Sequence, residues 1–153
     1  MKRLLIALVA LSVALPVAAT EWAPVRISTD SEHVWVDRSS IVWHTSYVRA
    51  WFLWDFSAPQ TTSKRKSFVS MKLLSYFNCS LRQLSSRQVL YYDQPHGIGQ
   101  PVESYAYMFE QVKLSMQDVV PDTSGEQILN YVCKNAPKSR RKSAPESDPE
   151  SSK

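Results

Sequence analysis

Glycine is scarce, with three in 153 residues, and two of these fall in Gly97-Ile98-Gly99. Such scarcity excludes the glycine-rich loops that cradle phosphates. Gly97-Ile98-Gly99 runs into Gln100-Pro101-Val102, without the third glycine and helix start of a dinucleotide site, so it reads as a loop turn. No G-x-S-x-G turn is present to present a nucleophile. Histidine is thin as well: His33, His44 and His96 are scattered, and no H-x-x-x-H pair offers zinc two ligands from one helix. The sequence therefore implies no metal and no cofactor. His96 with Asp93 is the one pairing suited to acid–base work, and a surface loop accounts for both. The residues point away from an enzyme.

Long apolar runs are also missing, except at the start. Met1-Lys2-Arg3 precedes Leu4-Leu5-Ile6-Ala7-Leu8-Val9-Ala10-Leu11, and the small residues of Pro16-Val17-Ala18-Ala19 follow. This is the order of a secretory signal peptide, with cleavage expected between Ala19 and Thr20. The apolar segment is too short for a permanent span, and no transmembrane span is expected in the mature chain. No Cys lies near the boundary to accept a lipid. The expectation is an exported protein, held in the periplasm before the cell surface or the medium. Loss of the leader removes Lys2 and Arg3, which lowers the net charge from +4 to +2. That balance does not call for nucleic acid.

Cysteine is limited to Cys79 and Cys133, with no C-x-x-C spacing. An even count in an exported chain favours a disulfide. The bridge closes a loop of more than 50 residues, worth about 4 kcal/mol in the chain-entropy model.

What the sequence does have is alternation. Residues 135–153 lack aromatic and large aliphatic side chains and read as a disordered tail, which leaves one domain over 20–134. Within it, Val48, Ala50, Phe52, Trp54 and Phe56 share one face of a strand, and Tyr47, Arg49, Trp51, Leu53 and Asp55 the other. Phe68–Phe77 repeats the pattern. Shorter strands are expected at Trp22–Ile27, Val34–Val36, Ile41–Trp43, Leu81–Tyr92 and Val102–Glu110, with turns that include Ser57-Ala58-Pro59 and Asp93–Gly97. Thr123-Ser124-Gly125-Glu126 fits a capping box, and Ile128, Leu129, Val132 and Cys133 form the apolar stripe of one closing helix. The fold expected is α+β: an antiparallel meander of about six strands, with a C-terminal helix tethered by the disulfide.

Charge is sorted along the chain. Between Phe56 and Tyr92 no acidic residue occurs, while Lys64, Arg65, Lys66, Lys72, Arg82 and Arg87 do. On adjacent strands these six make one positive docking patch for a sulfated glycan, an acidic protein surface or lipid phosphate; spread apart, they are a solvated face. Trp51 shares its strand face with Arg49 and Asp55, so it either packs under the closing helix or forms an aromatic contact for a partner or second subunit.

Several segments together resemble the bacterial surface-adhesin protein E family. They are Trp22, Val34-Trp35-Val36-Asp37-Arg38-Ser39-Ser40-Ile41, Val48-Arg49-Ala50-Trp51 and Asp55-Phe56-Ser57-Ala58-Pro59-Gln60, then Ser70-Met71-Lys72-Leu73-Leu74, Phe77-Asn78-Cys79, Tyr91-Tyr92 with Gly97-x-Gly99, Pro121 and Val132-Cys133. The resemblance implies a small antiparallel sheet with a disulfide-tethered helix. It also implies a non-catalytic adhesive role toward host matrix or serum proteins, with a homodimer among its assemblies. A periplasmic interaction protein with a bacterial envelope partner is the alternative.

Overall fold

The computed structural model describes residues 20–27 and 32–138. The expected signal peptide and nearly all of the expected tail lie outside the described residues. Among the described residues the chain forms β1 (Trp22–Val25), β2 (Glu32–Asp37), β3 (Val42–His44), β4 (Tyr47–Thr61), β5 (Ser67–Asn78), β6 (Gln83–Tyr92), β7 (Glu103–Ala106), α1 (Phe109–Leu114), β8 (Gln117–Asp118) and α2 (Ser124–Asn135). Six strands follow one another across an antiparallel sheet in the order β1-β2-β4-β5-β6-β7, with β3 on β4 and β8 on β6.

The long β4 has two short partners in series along one edge. β2 covers Phe52–Phe56 and β3 covers Tyr47–Arg49. Trp51 falls in the gap between them, and its N–H donates to Ser40 Oγ at 2.8 Å. Asp37 shapes the Asp37-Arg38-Ser39-Ser40 corner that delivers this hydroxyl, because its carboxylate accepts from the N–H of Ser39 at 3.0 Å and of Glu21 at 3.3 Å. A buried donor without a strand partner is thus satisfied by a side chain.

Alternation divides the sheet into two faces. On the first, Val34, Val36, Val48, Ala50, Phe52 and Phe77 are buried against Ile128, Leu129 and Val132 of α2. Thr123 caps that helix, accepting from Glu126 N–H at 3.4 Å. Glu126 does not complete the capping box: its carboxylate takes the N–H of Asp122 at 2.9 Å and pairs with Arg82. The Cys79–Cys133 disulfide joins α2 to the end of β5, as the cysteine count implied. On the second face, Leu74, Tyr76 and Val112 are buried, with Tyr47, Trp51, Phe109 and Met116 packed around them.

Two expectations are corrected. The Ser57-Ala58-Pro59 segment is not the turn: β4 continues to Thr61 through an irregular register between Asp55 and Gln60. The chain reverses at Thr62–Lys66, where Thr62 N–H donates to Lys66 O at 2.8 Å and Arg65 N–H to Thr62 O at 2.9 Å. The strand expected over Val102–Glu110 ends at Ala106, and α1 starts at Phe109 as a second helix.

Candidate binding surface

Helix α2 packs on β1, β4 and β5, at the end of the sheet where Cys79 binds it, and a row of half-buried residues runs from there toward the β4–β5 turn. There the register sets Trp54 opposite Met71, Leu73 opposite Val89, and Met71 opposite Tyr91. Tyr105 of β7 faces Val89. All of these side chains are half-buried. Rings connect across the strands: Phe56 to Phe68 at 5.6 Å, Phe68 to Tyr91 at 4.7 Å and Tyr91 to Tyr105 at 6.2 Å. Lys64 Nζ sits 5.1 Å from the Tyr105 centroid, closing the row at the β4–β5 turn. Edge-on ring pairs of this kind are worth about 0.5–1.5 kcal/mol beyond burial, and they hold the surface in a defined shape.

Glu103 organises the turn end of the row. It is 8% exposed and accepts from the hydroxyls of Thr62 and Tyr105, while Lys64 Nζ lies 3.6 Å away. Tyr91 is opposite Glu103 in the ladder. Burial pushes the Tyr91 phenol above its ordinary value, with Glu103 and Tyr107 adding in the same direction. Burial alone raises Tyr92. Both phenols are therefore neutral hydrogen-bonding groups at physiological pH.

Near α2 the open half dips into a cavity of about 170 Å³, walled by Phe52, Trp54, Leu73, Phe77, Leu84 and Ile128. The lining hydroxyls of Ser75 and Ser86 bond to each other at 2.9 Å.

The six cations of the sequence do not share one patch. Lys64, Arg65 and Lys66 cluster at the β4–β5 turn, where Arg65 and Lys66 are exposed. Arg82 stands at the far end of β5, roughly 40 Å away at 3.3 Å per residue, paired with Glu126 and Asn130 on α2. Lys72 lies on the second face, donating to Gly97 O at 3.0 Å above the Tyr92 ring. Arg87 reaches Tyr107 O and the Tyr76 hydroxyl, each at 3.4 Å. At a Debye length of about 8 Å such sites act separately. Trp51 belongs to the second face too, against Leu74 and the α1 cluster rather than under α2. Cys79 and Cys133 are the bridge itself.

Sequence reasoning missed the partner of His96. Its ring Nδ1 is 2.5 Å from Asp55 Oδ2, and its N–H donates to Asp55 Oδ1 at 2.8 Å, so Asp55 and not Asp93 holds it. The ring meets Trp35 edge-on at 5.8 Å. Ser70 Oγ, fully buried, donates to Gln94 O at 2.5 Å and accepts from Gly97 N–H at 3.0 Å. The hydroxyl is thus committed to the loop. His96 and Asp55 clamp the 95–97 turn onto the sheet. Among the described residues no group of three or more metal-ligating side chains converges.

A family model described as surface-adhesin protein E matches residues 22–134. Two crystal forms of Haemophilus influenzae protein E have a similar fold. The first superposes with a TM-score of 0.52 at 16% identity, covering 80% of this chain and 92% of that one. The second gives 0.53 at 16% identity, covering 80% and 95%. No curated protein matches the sequence.

Proposed function

Because the chain belongs to the surface-adhesin protein E family, we propose that it is an exported, non-catalytic binding module that holds a protein or glycan partner on its open half-face and basic turn. Host matrix or serum proteins are the partners that family membership suggests. One observation carries the reading: Trp54, Phe56, Met71, Leu73, Val89, Tyr91 and Tyr105 are half-buried apolar or aromatic residues, and ring contacts from Phe56 to Tyr105 join them in one row. A surface of that kind marks an interaction site more often than a solvated face.

Two measurements test it. Purified chain 20–153, oxidised at its cysteines, is applied to immobilised matrix and serum proteins, and intact cells are treated with protease. Saturable binding that weakens with salt and drops on Tyr91→Ala, together with protease-accessible protein on cells, is the expected result. Strict confinement to the periplasm with binding only to envelope proteins would replace the host partner by a bacterial one. Salt-insensitive binding would remove Lys64, Arg65 and Lys66 from the site.

A further inference from the structure

The chemistry of the open half-face differs at its two ends, and the difference selects an occupant. At the α2 end the cavity of about 170 Å³ has apolar walls, and its two hydroxyls, Ser75 and Ser86, share one hydrogen bond. A dry apolar cavity near 150 Å³ is enough for a benzene ring. A sugar placed there would bring several hydroxyls to a wall with one serine pair to bond them, and each hydroxyl left unpaired costs about 1–3 kcal/mol. At the other end Arg65 and Lys66 extend from the β4–β5 turn, and no described residue pairs with their charges. Lys64 is already shared with Glu103. From Leu73 at the cavity mouth to Lys66 at the turn is seven residues of one strand, or about 23 Å.

We infer that this groove takes an extended protein segment carrying one large apolar side chain, Phe or Leu, and two or three acidic residues six to eight positions away. The apolar side chain fills the cavity beside Gly125, the intervening residues cross Met71 and Tyr91, and the carboxylates meet Arg65 and Lys66. This rests on the binding-module reading above and gives its partner a chemistry. A buried anchor supplies most of the affinity, and the charged end sets direction and encounter rate.

Gly125 is a convenient block. It lines the cavity, and a Cβ there would stand 3.9 Å from Leu84 Cδ2, an ordinary contact. A Gly125→Leu side chain would enter the cavity from the helix. The test uses fluorescence anisotropy with labelled peptides of one Phe, five Gly/Ser residues and three Glu. One control peptide carries Ala for Phe, a second carries Lys for Glu, and a heparin-derived oligosaccharide is run beside them. The Ala and Lys peptides are expected to bind about tenfold more weakly or worse. Gly125→Leu should give a similar loss with a melting temperature no lower than the native chain's, and Arg65→Glu with Lys66→Glu a loss that shrinks at high salt. Equal binding of the Phe and Ala peptides overturns the inference without relying on any variant's folding. Binding of the oligosaccharide alone overturns it as well, while leaving the binding-module reading in place. Capture of matrix proteins undiminished by Gly125→Leu would move the site elsewhere on a module that still binds.

Discussion

Gly97 and Gly125 respond in opposite ways to the same added methyl group. Gly97 has φ +61°, and a Cβ there would lie 2.4 Å from Lys72 Cε. Gly97→Ala would push away the lysine that bonds Gly97 O, and it forces a left-handed Ala. The expected cost is about 1–3 kcal/mol, read as a lower urea midpoint at unchanged slope. Gly125 sits in the first turn of α2 with room for a methyl, so Gly125→Ala should raise stability by about 0.5–1 kcal/mol. A fall instead would mean that the helix start is tighter than its contacts suggest. At this scale the sequence was only partly legible. Asp93-Gln94-Pro95-His96-Gly97 announced a turn, but the residue that holds it, Asp55, lies 41 positions away. Only the β4–β5–β6 register brings the two together, and spacing along the chain carries no trace of it.

Among the elements, α2 was the easiest to read and α1 the hardest. Thr123 and the Ile128, Leu129, Val132 stripe specify a capped amphipathic helix locally, and two cysteines leave one pairing. For α1 the local signal misleads. Tyr105, Tyr107 and Phe109 alternate with small or polar residues and Met108, so the strand period runs on past Ala106 into residues that turn helical. Six residues are too few to be helical on propensity alone. Val112 and Phe109 settle there because they cover Leu74 and Tyr76. The bridge has a distinct task. Helix α2 is 12 residues long and covers only part of its face, and the Cys79–Cys133 link spans a separation of 54. Changing both cysteines to Ser should cost about 4 kcal/mol in the chain-entropy model. Hydrogen exchange should show α2 opening before β4 and β5, which retain their paired neighbours. Uniform exchange across all three would assign the loss to the whole domain instead.

For the whole molecule, the two-sided sheet makes the alkaline limb of stability a test of the architecture. Tyr91 and Tyr92 are consecutive and so point to opposite faces of β6: one toward the open row beside Glu103, the other beneath Lys72. Burial raises both phenols above their ordinary value of 10.0, and Glu103 with Tyr107 lifts Tyr91 further. A raised phenol means that the folded chain holds its proton more tightly than the unfolded chain does. The stability this represents is complete below the unfolded value, near pH 10, and is lost as the pH climbs through the folded values. The slope is at most about 1.4 kcal/mol per pH unit for each tyrosine. Lysines also lose charge in this range, so the contribution is isolated by comparison with Tyr91→Phe/Tyr92→Phe. The native chain should lose urea midpoint more steeply above about pH 10 than the double variant. Parallel slopes would mean that water reaches both rings in the folded state. In that case the half-face is more open than the ring contacts from Phe56 to Tyr105 imply, and the groove would offer a partner less shape to recognise.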